Sequence, residues 1–477
     1  MSDKMYDVIV IGAGSGGLSV ALFLSKLNFK ILIIAKTDKD IGGDCLNDGC
    51  IPSKALLHVS MIAHWAKQAE ELGLKVSGKV EIQKAVKYIY ERQEIIREHE
   101  NAEWLKKRGL DVTLGEAYFT GKNTIAVNGK EFKGKKIVIA TGSHPIKLNV
   151  PGVELVKYYD NKSIFQIDVL PERLLVAGGG PIGIEIAQAF SRLGSKVTVL
   201  HRGKNILEHD EETLTSILLA QLEIEGIEIA FETEIEKFTS PNSAVLISNY
   251  KKRNLEFDVV FAGIGRTLVL DSLQLDKATI EVKDDKIVVD DYLRTTNKDV
   301  MLCGDIVGSL QFSHAAEFHA RIILNNFFSP FKKKLNNDHM SWVTFTDPEL
   351  ATFGLSEKQL KKRNIDYVKL QQDFSGDDRA ITDNYQYAKA ILYLSKKTFF
   401  KKEKILGGTM VAPKAGELIQ ELILANTAGL STSLLFNKIY PYPVASRVNQ
   451  HLVVKHKEKN ITNGIKHLLK FAFKILN

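Results

Sequence analysis

Tyr6-Asp-Val-Ile-Val-Ile-Gly-Ala-Gly-Ser-Gly-Gly17 decides the fold of this chain. Val8 to Ile11 is an unbroken apolar run, the composition of a strand buried on both faces. It stops at Gly12, Gly14 and Gly17, after which Leu18 to Leu27 reads as a helix and Lys30 to Ala35 as a second strand. Glycines at this spacing allow a tight turn and close backbone approach, so that the helix N-terminus can hold a pyrophosphate. The pattern recurs. Arg173 to Ala177 is a strand, followed by Gly178-Gly-Gly180-Pro-Ile-Gly183-Ile-Glu185, a helix to Leu193 and the strand Lys196 to Leu200. Two full strand–turn–helix–strand units predict an α/β protein with two Rossmann-like dinucleotide-binding domains.

The residue ending the second strand of such a unit usually carries an acid for a ribose hydroxyl. In the first unit that position is Ala35, followed by Lys36, so the ribose anchor must be weaker or lie elsewhere, with Asp38 the nearest acid. In the second unit it is His201, with Arg202 and Lys204 close behind. A basic cluster there favours the extra 2′-phosphate of NADP over NAD, because Arg forms strong charge-assisted bonds to phosphate.

Between the two units lies Gly42-Gly-Asp-Cys-Leu-Asn-Asp-Gly-Cys-Ile-Pro-Ser-Lys54, which holds two of the three cysteines, Cys45 and Cys50. A structural disulfide across so short a loop would remove little chain entropy. A zinc site would need about four ligands, and no second Cys/His pair stands at matching spacing, so no resident metal is expected. A redox pair fed by the nucleotide sites remains. Cys303 lies inside the strand that ends Met301-Leu-Cys-Gly-Asp305 and reads as packing. Asp305 follows it at the carboxyl edge of a sheet, placed to bond a ribityl or ribose hydroxyl.

Ala55 to Leu72 and Val80 to Arg108 read as two long helices. Within them His58, His64, Trp65 and Trp104 read as packing or surface residues. Phe231 to Val260 reads as alternating strands, ending Phe261-Ala-Gly-Ile-Gly265-Arg266. Beyond a linker at Asn336 to Asp338 the pattern is that of an α+β module with no nucleotide fingerprint. The start of the chain lacks a basic segment followed by an apolar signal core. No apolar run approaches the length of a membrane span. Few cysteines and no signal lead to the expectation of a reducing, cytoplasmic compartment. Of the net charge of +7, most sits beyond His451, where six lysines face Glu458 alone. The body is close to neutral, and no nucleic-acid partner is expected.

Taken together, these residues resemble the pyridine nucleotide–disulfide oxidoreductases with a Cys-x4-Cys pair, which include dihydrolipoamide dehydrogenase, glutathione reductase and mercuric reductase. The resemblance covers roughly residues 5 to 450 and is carried by Gly43-x-Cys45-x4-Cys50-x-Pro52-Ser53-Lys54. Thr141-Gly142, Gly304-Asp305, Thr346-x-Pro348-Glu349 and Ala415-Gly416-Glu417 stand in family order. It implies FAD on the first fingerprint, a nicotinamide nucleotide on the second, and a homodimer built on a C-terminal α+β dimerisation domain. The implied division is 1–150 and 267–336 for FAD, 151–266 for NAD(P), 337–455 for dimerisation, and 456–477 as a basic amphipathic tail. By the same resemblance Cys50 is the thiolate facing the flavin, Cys45 attacks the substrate, and Lys54 pairs with Glu185 near the flavin ring. A helix N-terminus after Cys50, with Lys54 nearby, would lower a thiol pKa as that chemistry needs.

One loop departs from the family pattern. Most relatives carry His-Pro and, five residues after the histidine, a Glu that together form an acid–base dyad. In Tyr440-Pro-Tyr-Pro-Val-Ala-Ser-Arg447 those positions are Tyr442 and Arg447. Neither exchanges protons at neutral pH as that dyad does. Tyr442 is similar to the tyrosine of mercuric reductase, whose C-terminal cysteine pair this tail lacks. The expected acceptor is therefore a disulfide, a thiol-reactive metal ion or a small electrophile that does not need the dyad. Two alternatives are a flavin that reduces a quinone-type acceptor directly and a redox-sensing flavoprotein of low turnover. Gly464 to Leu476 has Lys466, Lys470 and Lys474 on one stripe and apolar residues on most of the rest. Such a helix fits packing against its own protein, the commoner outcome, or weak contact with an anionic membrane surface.

Overall fold

A computed structural model describes residues 5–397 and 402–477. Their contacts form two units. One holds the chain up to Lys204 together with Glu225–Asn336, and the other holds Asn205–Ile224 and Asn337–Asn477.

The first unit is an α/β assembly on the strand Met5–Ile11. That strand pairs in parallel with Ile31–Ala35, Val8 opposite Ile31, and with Lys130–Ile139, Ile9 opposite Ile137. Asp111–Leu114 extends the sheet on one side, and Val300–Leu302 lies parallel to Lys130–Ile139 on the other. Lys130–Ile139 serves two ladders, because its first residues also pair antiparallel with Thr124–Val127. Ile9, Val10, Ile33 and Val138 are fully buried, as continuous apolar strands covered on both faces must be. The helix Ser15–Ser25 closes the first fingerprint. The second fingerprint stands on a separate, fully parallel sheet in the order Glu228–Ala230, Lys196–Leu200, Arg173–Ala177, Val259–Ala262, Tyr158–Tyr159. Its helix runs from Pro181 to Leu193.

The long helices expected after the cysteines differ in their limits. The first runs Cys50–Gln68, so Cys50 itself is its first residue. The second is two helices, Ile82–Arg97 and Ala102–Lys107. Asn101 divides them: its side-chain oxygen accepts from the Trp104 backbone N–H at 2.8 Å, while its amide donates to the Arg97 carbonyl at 2.8 Å. One side chain thus ends one helix and caps the next.

The second unit carries a five-stranded antiparallel sheet, in the order Ser341–Thr344, Glu349–Gly354, Ile405–Ala412, Lys389–Ser395, Tyr367–Asp373. Helices Ala415–Leu418 and Gln420–Thr427 pack against it. Glu212–Ile224, which the apolar pattern did not single out, packs on this sheet. Glu211, just before it, accepts from Lys369 at 2.8 Å and from the Tyr393 hydroxyl at 2.8 Å. The terminal helix Asn463–Leu476 corrects another expectation. It has no buried residue, so it does not pack back on its own protein. Its apolar residues spread too far around the circumference for one packed face to cover.

Candidate functional site

The first fingerprint is held by backbone contacts that only glycine permits. Gly12 has φ +105°, and a Cβ there would lie 2.3 Å from the Ala140 carbonyl oxygen. A Cβ on Gly17 would lie 2.0 Å from the Gly12 carbonyl oxygen. Gly14 does something else. It faces Gly43 so closely that a Cβ on Gly43 would stand 2.6 Å from the Gly14 Cα. The Gly42 N–H also donates to the Ala13 carbonyl at 2.9 Å. The turn that cradles a pyrophosphate and the loop that carries the cysteines are therefore in backbone contact.

Across the same turn, Thr141 has a buried hydroxyl with no hydrogen-bond partner among the described residues. Beside it Gly142 has φ +70° and faces open space. Asp305, half-buried, accepts from the Ser143 hydroxyl at 2.6 Å. Burial pushes its carboxyl above the usual range. An unpartnered hydroxyl, a bare backbone turn and a carboxylate at the sheet edge fit a dinucleotide such as FAD, whose pyrophosphate and hydroxyls would supply the missing partners.

Cys45 lies on the short helix Gly43–Asn47, and Cys50 opens the next helix. Both are free thiols. The Cys45 thiol donates to Cys50, which lowers Cys50 to a pKa of about 6, and Ser313 and the Lys54 charge act in the same direction. The Cys50 sulfur lies 3.5 Å from the Ser313 hydroxyl. Cys45 moves the other way, because that hydrogen bond and burial hold its proton in place. Cys50 is thus the thiolate of the pair near neutrality, at the first position of a helix whose dipole favours negative charge.

One turn further on, Lys54 Nζ lies 2.8 Å from Glu185 Oε2. Glu185 is 4% exposed and stands on the second fingerprint helix, so this pair joins the cysteine helix to the second nucleotide unit. Arg192 of that helix adds a contact to Met61 at 3.4 Å and is clamped by Glu225 at 2.6 Å.

The second cradle repeats the first. Gly178 has φ +118° with the Gly263 carbonyl oxygen 2.3 Å from a notional Cβ, and a Cβ on Gly183 would lie 2.0 Å from the Gly178 carbonyl oxygen. A Cβ on Gly180 would meet nothing within 4 Å, so the turn is open where a pyrophosphate would sit. Gly265, which follows the strand Val259–Ala262, has φ +117°. His201 packs its ring against Gly179, and Arg202 pairs with Glu234 at 3.3 Å on the surface.

Sequence reasoning passed over several residues here. Arg266 donates to Ser143 Oγ at 2.7 Å and pairs with Asp44 at 3.1 Å, tying the cysteine loop to the Asp305 edge. Asp48 lies between the two cysteines in sequence. Burial, with Asp44 adding repulsion, pushes its carboxyl up to about 7. The signal was two acids within the cysteine motif, but their burial is a tertiary fact. His319 is fully buried and accepts from the Gly304 N–H at 3.2 Å.

Burial lowers His319 to about 4 from its ordinary 6.5, so the folded chain holds it neutral. A depressed histidine contributes stability that is present above pH 6.5 and lost as pH falls toward 4. The chain should lose about 3 kcal/mol over that window from this group. His319→Asn, which keeps an acceptor, should show a shallower fall in thermal midpoint between pH 7 and pH 4.5. Parallel slopes would remove His319 as the cause.

Tyr442 belongs to the second unit. Its hydroxyl donates to Asp378 at 3.1 Å, and Arg447 lies over its ring at 5.5 Å from the centroid. His451 lies 3.7 Å from Asp377 in the same cluster.

A family model described as pyridine nucleotide-disulphide oxidoreductase matches residues 6–320. A model for the dimerisation domain of the same description matches residues 340–453. Mercuric reductase from Bacillus cereus is 31% identical, over 92% of this chain and 69% of that protein. Dihydrolipoyl dehydrogenase from Buchnera aphidicola is 30% identical, over 94% of this chain and 95% of that protein. Among solved structures, the HOCl-induced flavoprotein disulfide reductase RclA from Escherichia coli superposes with a TM-score of 0.83 at 25% identity, covering 94% of this chain and 99% of that one.

Proposed function

The chain belongs to the pyridine nucleotide-disulphide oxidoreductase family, and we propose that it passes electrons from NADPH by way of FAD to Cys45–Cys50 and on to a small acceptor. Enzymes of this family use FAD and NAD(P)H, and their dimerisation domain supports a homodimer. The observation that carries the proposal is the Cys45–Cys50 pair itself: two thiols in hydrogen-bonding reach, one stabilised as a thiolate, beside the Lys54–Glu185 ion pair.

FAD, when bound, supplies a two-electron relay between the nicotinamide and the cysteine disulfide. The chain's own residues do the rest. Gly12, Gly14, Gly17, Thr141, Gly142 and Asp305 would hold FAD, and Gly178, Gly180, Gly183 and Gly265 the nicotinamide nucleotide. Two electrons and a proton open the disulfide to a Cys45 thiol and a Cys50 thiolate, the protonation state the local hydrogen bond favours. Toward a disulfide acceptor, Cys45 passes its proton to the Cys50 thiolate along their hydrogen bond and attacks one sulfur, and the other leaves as a thiolate that takes the proton back from Cys50. Cys50 then attacks Cys45, releases the second thiolate and restores the disulfide, so one bond is cleaved for each one re-formed. Lys54, held by Glu185, keeps positive charge near Cys50. His201, Arg202 and Lys204 favour NADPH, since the exposed Arg202–Glu234 pair is weak enough to yield to a 2′-phosphate.

The acceptor is a disulfide, a thiol-reactive metal ion or another small electrophile. Tyr442 and Arg447 stand where a proton-exchanging dyad would be, which favours acceptors that need no general acid. The same observation supports the second reading, direct reduction of a quinone-type acceptor. The place of action is the cytoplasm, where thiols stay reduced. Among the described residues no helix is long and apolar enough to cross a membrane.

Anaerobic titration with NADPH, and in parallel with NADH, tests this. The first equivalent of nucleotide should bring out two new thiols per chain and further nucleotide should bleach the flavin, at lower concentrations of NADPH than of NADH. Bleaching without new thiols would replace the proposal with direct acceptor reduction. No reduction by either nucleotide would leave a sensing role in front.

A further inference from the structure

The helix Asn463–Leu476 takes no part in the redox site. Thr462 caps it by accepting from the Ile465 N–H, and none of its fourteen residues is buried. At about 100° per residue, Lys466, Lys470 and Lys474 fall in one narrow sector with Asn463 and His467. Apolar residues fill the remaining arc of about 200°, bordered on its two sides by Phe471 and Phe473. Leu468, Leu469 and Ile475 within that arc are 58–65% exposed.

We propose that this helix lies in the plane of an anionic membrane surface, its apolar arc at the acyl boundary and its lysines among the headgroups. Three observations converge on that occupant. A helix docked on a protein buries a stripe on the order of 100° wide, whereas an arc twice as wide suits a medium that wraps the helix from below. Charge complements the headgroups, because no acid follows Glu458 while Lys455, Lys457 and Lys459 precede the helix. The same charge weighs against a second copy of the chain, which would bring an identical basic cluster to the contact. Length sets the orientation. Fourteen residues reach about 21 Å, short of the roughly 30 Å of a hydrocarbon core, so the helix lies on the bilayer and does not span it. Long lysine stems let the ammonium groups reach water while their methylenes stay apolar. The inference is independent of the redox reading.

Sedimentation of the full chain with vesicles tests it. Binding should be strong to phosphatidylcholine vesicles containing about a third phosphatidylglycerol and weak to phosphatidylcholine alone. Each surface lysine contributes about fivefold, so K466Q/K470Q/K474Q should lower partitioning on the order of a hundredfold. Leu469→Asp should abolish it. Neither variant touches the core, and unchanged thermal midpoints would confirm that both fold. Equal binding by wild type and both variants would overturn the proposal. So would an absence of vesicle binding, and if Leu469→Asp then also weakened self-association, the arc would belong to a second copy.

Discussion

Cys50→Ser is expected to lower NADPH-dependent reduction of a disulfide acceptor by on the order of a thousandfold or more, while NADPH still bleaches the flavin. The serine hydroxyl cannot form the disulfide, so the chain has no dithiol with which to reduce the acceptor. Cys45→Ser should cost as much in turnover by a different route. Cys45→Ala also removes the donor that does most to lower Cys50, which the serine hydroxyl would replace, so in that variant the remaining thiol should titrate above the value of about 6 that it has beside Cys45. Alkylation of the reduced protein by iodoacetamide reads this directly. Wild-type labelling should fall as pH drops through about 6, because the thiolate is then protonated. In Cys45→Ala the fall should come at higher pH. Labelling with the same pH dependence in both proteins would remove the Cys45 hydrogen bond as the cause, and near-normal turnover in Cys50→Ser would remove the disulfide from the reaction.

Lys54→Met should destabilise the first unit by about 2 kcal/mol. The figure is below the roughly 3–5 kcal/mol for one partner of a fully buried pair, because Lys54 keeps a third of its exposure. The variant leaves the Glu185 carboxylate, 4% exposed, without this cation at 2.8 Å. Glu185→Gln in the same chain should recover much of the loss, since it removes the charge and keeps the shape. Denaturant unfolding of all three proteins checks the pattern. If the double variant is as unstable as Lys54→Met, the loss comes from lysine packing and not from the carboxylate. The functional arm is separate. With positive charge gone from beside Cys50, alkylation of Lys54→Met should require higher pH, and an unchanged profile would confine Lys54 to a structural role.

The two glycine fingerprints and the cysteine motif were legible because each rests on local chemistry. Gly12 and Gly178 adopt backbone angles that a side chain resists, so the need for glycine is written into the residue. The Lys54–Glu185 pair was legible only through resemblance, since 131 residues separate the partners. Arg266, Asp48, Ser313 and His319 gave little local sign, because what matters about each is what the fold places beside it. The break at Asn101 could have been read as a cap, but the apolar spacing continued across it.

By itself the sequence determined an α/β chain with two dinucleotide units, a redox pair between them and a tail richer in lysine than its body. Periodicity, glycine spacing and charge are properties of neighbours along the chain, and they survive without coordinates. The resemblance already named Cys50 as the thiolate, and only the tertiary structure supplied the hydrogen bond that gives it a physical cause. Cys45 and Cys50 are alike in sequence, and they differ because one donates the hydrogen bond and the other accepts it at a helix N-terminus beside Ser313 and Lys54. Only the tertiary structure, too, left the terminal helix without a buried residue, because whether an apolar arc finds a partner depends on what the rest of the fold brings to it.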